Sequence, residues 1–234
     1  MLGIIIPAHN EAEQIKACIL AAQRAALHPG LENEPGHVVV AIDACSDDTE
    51  VIARACGADV VIVDAKKVGI ARAAGAAFAI DRGARWLAFT DADTIVAEDW
   101  LVQQLRCNAD AVCGVISIND WTGHSDAVRQ DFVNTYCDAD GHRHIHGANL
   151  SVSAQAYVRV GGFAPLDSDE DVTFVRALVA AGCHVAWSAA PRVVTSARMD
   201  SRAHKGFGAT LREVSRRLRA QELAMTLESR DVLA

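Results

Sequence analysis

Two aspartates one residue apart, Asp91 and Asp93 in Thr-Asp-Ala-Asp-Thr (90–94), follow the apolar run Trp86-Leu87-Ala88-Phe89. Extended backbone places side chains i and i+2 on one face, so both carboxylates can project together from the carboxyl end of a strand. That edge is where open α/β sheets bind ligands. Two hard oxygen ligands there suit Mg²⁺ or Mn²⁺ holding a phosphate-bearing substrate. A strand followed by a polar turn accounts for the same five residues equally well, because Asp and Thr are common turn residues.

Further along, Asp167-Ser168-Asp169-Glu170-Asp171 gathers acids ahead of a helix expected over about 172–181, with Ser168 as its cap. His142, His144 and His146 alternate in Gly-His-Arg-His-Ile-His-Gly, so an extended backbone would set three imidazoles on one side. Zinc is conceivable there, but no fourth ligand is evident, and a loop contacting substrate or neighbouring acids fits better.

The elements that must position these groups alternate between strand and helix patterns over the first hundred residues, as parallel βαβ units do. Leu2–Ile6 reads as a strand, and Asn10 with Glu13 has capping-box spacing before Ile15, Cys18, Ile19 and Ala22 at helical intervals. Val38–Ile42 is a second strand. Asp47 and Glu50 again have capping-box spacing before a short helix that Gly57 should stop. Val60–Val63 is a third strand, 68–82 an Ala-rich helix ending at Gly83, and Trp86–Phe89 a fourth strand. A helix over 99–105, a strand over 111–118, a polar His-bearing region over 119–146 and mixed α/β patterning over 147–200 complete the reading. Leu211, Val214, Leu218 and Leu223 predict a C-terminal amphipathic helix whose Arg212, Arg216, Arg217 and Arg219 form a solvated basic face.

At 234 residues and 51% hydrophobic composition, the chain can bury a substantial core as one compact domain. A net charge of −8 argues against a nucleic-acid surface. Seven scattered cysteines suggest reduced thiols and a cytoplasmic setting. No apolar run reaches membrane-spanning length, which predicts a soluble protein.

Read in order, the segments Ile6-Pro7-Ala8-His9-Asn10-Glu11, Ile42-Asp43-Ala44-Cys45-Ser46-Asp47-Asp48-Thr49, Ala71-Arg72-Ala73-Ala74-Gly75, Thr90-Asp91-Ala92-Asp93, Gly161-Gly162-Phe163 and Glu170-Asp171 resemble glycosyltransferase family 2. These are inverting nucleotide-sugar transferases, and the resemblance runs from about residue 2 to about residue 205. It implies an α/β fold of GT-A type, a Rossmann-like, open, mostly parallel sheet flanked by helices. A C-terminal acceptor-side region and the terminal helix would follow. Residues 1–118 would form the nucleotide-sugar half, 119–205 the acceptor and catalytic half, and 206–234 the C-terminal helix.

By the same resemblance Pro7, His9, Glu11, Asp43, Arg72, Asp91 and Ala92 would line the donor, with Asp43 bonding the base or ribose. Asp93 would be the leading ligand of an Mn²⁺ or Mg²⁺ ion, with Asp91 assisting. Asp171 would be the general base, beside Glu170. The basic stretch 198–205 looks like the late segment that folds over the diphosphate in relatives, with Arg198 and Arg202 for phosphates and His204 for the metal. The second motif departs from the usual Asp-Asp-Gly-Ser, since Ala44 and Cys45 replace its second acid and its glycine. The expected partners are a nucleoside-diphosphate sugar and an acceptor that is a small molecule or lipid head group more readily than a polymer. A sugar-phosphate nucleotidyltransferase ranks below, because Pro7-Ala8-His9-Asn10 stands where that class carries a Gly-rich loop. A nucleotide-sugar-binding scaffold without catalysis is the non-enzymatic alternative.

Overall fold

The computed structural model describes residues 1–198 and 207–231. They fall into two compact units, the first built from Met1–Ser117 with Asp138–Thr195 and the second from Ile118–Cys137 with the described part of 196–234.

The first unit is organised by a seven-stranded sheet in the order β3-β2-β1-β4-β7-β6-β8. Its strands are β1 (Leu2–Ala8), β2 (Gly36–Asp43), β3 (Asp59–Val63), β4 (Trp86–Phe89), β6 (Ala111–Gly114), β7 (Leu150–Ser153) and β8 (Val185–Ser188). Neighbours run parallel except at β7, which is antiparallel to both β4 and β6. All seven residues of β1 are buried, so helices cover both of its faces, as the continuous apolar run Leu-Gly-Ile-Ile-Ile requires.

Helix α3 (Val68–Asp81) lies against β1 and β2 at short range because its contact face is Ala and Gly. A Cβ on Gly75 would stand 2.7 Å from Ile5, closer than any real packing allows. Helices α6 (Ala154–Arg159) and α7 (Glu170–Ala180) extend that layer, and Tyr157, Phe163, Phe174 and Leu178 join Ile5, Leu87 and Phe89 in one core. Helix α1 (Ile15–Ala26) packs on β2 and β1 with α2 (Thr49–Ala55) and α4 (Trp100–Arg106) beside it. Short strands β5 (Thr94–Val96) and β9 (Val193–Thr195) make a separate antiparallel ribbon.

Several helix starts differ from expectation. Helix α1 begins at Ile15 without a side-chain cap. Asn10 instead adopts a positive φ of 54° and its Oδ1 accepts from the Ser46 amide at 2.7 Å, tying the loop after β1 to the loop after β2. Helix α7 begins at Glu170, and Ser168 bonds Asp169 rather than capping it. The capping box expected from Asp47 and Glu50 does not form: Asp48 stands at the N-cap of α2 without a capping side chain, Asp47 Oδ1 accepts from the Thr49 amide at 3.0 Å, and Glu50 bonds Arg54. Gly57, with φ of 78°, closes α2.

The second unit pairs α5 (Asp126–Thr135) with α8 (Phe207–Asp231) around Val128, Ala197 and Leu211. Phe132 stacks on Tyr136 and meets Phe207 edge-on. Part of the basic face of α8 is ion-paired, with Arg217 2.6 Å from Asp131 and Arg216 2.8 Å from Glu213.

Candidate active site

The acidic turn sits where the sequence places it, at the carboxyl end of β4. Ala92 is buried while Asp91 and Asp93 are half-exposed, but residues 91–94 form a turn beyond β4 and not the extended strand end on which the i, i+2 expectation rested. The turn is held from two sides by its own backbone. The Asp91 carbonyl accepts from the Thr94 amide at 3.1 Å and from the Cys18 thiol on α1 at 3.3 Å. Burial, followed by the charges of Asp91 and Asp93, pushes the Cys18 thiol far up, so it acts here as a neutral donor.

Arg72 is the hub of the site. It is 3% exposed on α3, and its guanidinium reaches both the acidic turn and the start of α7. Nη2 donates to Asp91 Oδ1 at 2.6 Å, and Nη1 donates to Glu170 Oε1 in a very short contact. Burial alone would weaken its charge, but Asp91, Glu170 and Asp171 together more than offset this and hold its pKa above the ordinary value. Phe163 of the Gly-Gly-Phe segment lies beneath, 5.9 Å from the guanidinium carbon to the ring centre. Glu170 is 5% exposed. Its burial pushes the carboxyl up, against the pull of Arg72 and with the push of Asp171 and Asp91.

Asp171, next along α7, is half-buried. Its Oδ2 accepts from the Gly147 amide at 2.9 Å and its Oδ1 from the Val172 amide at 2.7 Å. Each oxygen keeps acceptor capacity for a further donor. Gly147 belongs to a 3₁₀ turn, Gly147–Asn149, between the histidine segment and β7.

Asp43, 3% exposed at the end of β2, uses both oxygens on the loop before α3. It accepts from the amides of Ala65 (2.7 Å), Lys66 (2.8 Å) and Lys67 (2.8 Å). The carboxylate therefore shapes the loop leading to Arg72. His9 Nδ1 lies 2.6 Å from the Asp43 carbonyl, which fixes the ring at the same strand end. Pro7 is buried in β1 beside Ala41, and Glu11 is 7% exposed with its amide donating to Thr49 Oγ1 at 2.7 Å. In the altered second motif the left-handed residue is Ala44 (φ 51°), and the Cys45 thiol stands in the turn, accepting from the Asn10 amide at 3.1 Å.

Arg198 belongs to the second unit, and Arg202 and His204 lie outside the described residues. The three histidines do share one side, as stacked rings: His142 and His144 are 5.4 Å apart, His144 and His146 5.8 Å. Near-parallel rings do not converge their nitrogens on a metal. Among the described residues no three His, Cys, Asp or Glu side chains form a metal cage. The donors that fit a divalent cation are the two carboxylates of the acidic turn, hard oxygens with a half-exposed aspect, one oxygen of Asp91 being committed to Arg72.

Asn149 closes the segment His146-Gly147-Ala148-Asn149, which resembles the run before the acceptor-side strand in relatives, yet the sequence assigns its side chain no task; it is 1% exposed. Its amide donates to the carbonyls of Val115 (2.7 Å) and Pro191 (3.0 Å) and accepts from Trp100 Nε1 (2.8 Å). An asparagine before a strand carries no distinguishing sequence signal.

The family model for glycosyl transferase family 2 matches residues 3–158. No curated protein sequence matches the chain. Among solved structures, S. aureus TarS 1–349 in complex with UDP-GlcNAc superposes with a TM-score of 0.64 at 13% identity, covering 88% of this chain and 61% of that one. The mannosyltransferase PcManGT from Pyrobaculum calidifontis, in complex with GDP-Man and Mn²⁺, gives 0.63 at 18% identity, with 86% and 58% covered. Glucosyl-3-phosphoglycerate synthase from Mycobacterium tuberculosis, in complex with Mn²⁺, UDP-Glc and phosphoglyceric acid, gives 0.58 at 18% identity, with 85% and 72% covered. The chain thus spans about 60% of TarS 1–349 and of the mannosyltransferase. At these identities the likeness establishes the fold.

Proposed function

The chain belongs to glycosyltransferase family 2, and from that premise we propose that it transfers a sugar from a nucleoside-diphosphate donor to an acceptor hydroxyl with inversion. The observation that supports this reading is the meeting of the acidic turn and the start of α7 around Arg72, which pairs with Asp91 and Glu170, the close sequence neighbours of Asp93 and Asp171.

The step is a single in-line displacement. The acceptor oxygen forms a bond to the anomeric carbon while the bond to the diphosphate oxygen breaks, its electron pair leaving with the nucleoside diphosphate. The acceptor proton passes to Asp171, whose carboxylate is oriented by the Gly147 and Val172 amides. Asp93, with the oxygen of Asp91 that Arg72 leaves over, would hold Mn²⁺ or Mg²⁺, and the ion would offset the charge gathering on the leaving diphosphate. Two carboxylates supply too few ligands for a closed site, so phosphate oxygens and water would complete the shell. Pro7 in β1, with His9 and Glu11 in the loop after it, would shape the nucleoside side.

UDP- and GDP-sugar complexes of the structural neighbours make these two donor classes the first to test. The acceptor is proposed to be a small molecule or a lipid head group. Among the described residues no helix is long and apolar enough to cross a membrane.

A thermal-shift series with UDP, GDP, dTDP, CMP and ATP, each with and without Mn²⁺, tests the reading. A ligand at a hundred times its Kd adds about 2.7 kcal/mol to the native state. The expected outcome is stabilisation by one nucleoside diphosphate that needs Mn²⁺ and vanishes in Asp93→Ala. Stabilisation only by ATP would instead support nucleotidyl transfer, and stabilisation by none would overturn the donor site.

A further inference from the structure

Glu170 adjoins the proposed base and carries a carboxylate of its own, yet its surroundings are those of an anchor. Its Oε1 is bonded to Arg72, and its Cβ and Cγ lie 3.1 Å from where a side chain on Gly69 would begin. A Cβ on Gly147 would stand 2.1 Å from Arg72 Nη2. Two glycines thus leave room for one guanidinium–carboxylate pair, with the Phe163 ring beneath it. The same guanidinium holds Asp91, and the same Gly147 donates its amide to Asp171.

We infer that Arg72 and Glu170 form a buried clamp that sets the acidic turn in register with Asp171, making Glu170 a positioning residue rather than a base. The planar guanidinium suits this task because its two terminal nitrogens face two carboxylates in a fixed fork, which an ammonium cannot do. The contact joins residues 98 positions apart, α3 to α7, while the second arm joins α3 to the turn after β4. Movement of either arm shifts the distance between the leaving diphosphate and the base. Misplacement of about 1 Å costs about a hundredfold in rate. The kinetic consequence rests on the transferase reading, whereas the structural one does not.

Two measurements on the full chain separate the possibilities. Amide hydrogen exchange without nucleotide reads the clamp directly, through the Thr94 amide bonded to Asp91 and the Gly147 amide bonded to Asp171. In Glu170→Gln, and independently in Arg72→Lys should the first variant fold poorly, both amides should exchange about tenfold faster, with Ile5 and Val40 of the central strands unchanged. Uniform acceleration across the sheet, or an unchanged Thr94 amide, would overturn the clamp.

Steady-state kinetics gives the second reading. Glu170→Gln should lower kcat by about ten- to a hundredfold with the donor KM within threefold, and the Glu170→Gln/Arg72→Lys double variant should match the worse single. A Glu170→Gln variant as inactive as Asp171→Asn, with exchange unaltered, would make Glu170 the base and sink the proposal. If the wild-type chain transfers nothing, the transferase reading fails and the exchange result alone decides the clamp.

Discussion

Three aspartates in this fold show how one functional group takes three tasks according to its partners. Asp43 gives three of its acceptor positions to the amides of residues 65–67 and builds a loop. Asp91 gives one oxygen to Arg72 and its carbonyl to Cys18 and Thr94. Asp171 is oriented by two amides while staying half-exposed, which suits a group that must receive a proton. Asp171→Asn keeps the shape and removes the basicity. It should lower kcat by about 10²- to 10⁴-fold while the donor KM stays within threefold, measured by release of nucleoside diphosphate. Near-wild-type turnover would place the base elsewhere. The residue types in this site are legible in the sequence because β4 ends in an apolar run and the acids stand at strand and helix ends. Their pairing is not legible. Nothing in local spacing connects Arg72 with Glu170, and nothing reveals that Asp43 is largely spent on backbone amides.

Elements are legible in proportion to their periodicity. Strand β4 falls on the four residues its apolar run marks out, and α3 ends ahead of Gly83 as its glycine predicts. Strands β5 and β9, three residues each, carry no period and go unread. The antiparallel entry of β7 is equally silent, because direction within a sheet is decided by connections and not by composition. The caps failed where a competing partner was better placed, as with Asn10 and Ser46. Asn149 is the joint that compensates for such irregularity, tying α4, the end of β6 and the approach to β9 through one side chain. Removing it strands two carbonyls and an indole N–H in the interior. Asn149→Ala is therefore expected to destabilise the chain by about 3 kcal/mol, read as a lower urea midpoint at unchanged slope. A loss below about 1 kcal/mol would mean that water replaces the amide.

At the scale of the whole molecule, folding must bury groups that would rather be charged. His146 is held down to about 3, first by burial and then by the neighbouring His144 and His142. Unfolded, it would take a proton near the ordinary value of about 6.5. Its contribution is complete above that value and is lost as pH falls toward about 3, because the unfolded chain then binds the extra proton. Stability should drop on acidification by at most about 1.4 kcal/mol per pH unit from this group. His146→Asn should flatten the slope between about pH 5 and 6.5, where most carboxylates remain ionised. Urea midpoints across that window decide it, and identical slopes would refute the assignment.

The order of strands in space differs from their order in the chain, and this bears on synthesis. Strand β7 lies between β4 and β6, yet residues 150–153 are translated well after both. On the ribosome, the open edge of Trp86-Leu87-Ala88-Phe89 has no native neighbour until those residues emerge, and β6 has none until either β7 or β8 is made. A nascent chain in that interval carries an unpaired apolar strand edge, the feature that recruits wrong partners. The inserted strand that closes the sheet beside the acidic turn thus also sets how long the newborn protein depends on protection from its neighbours.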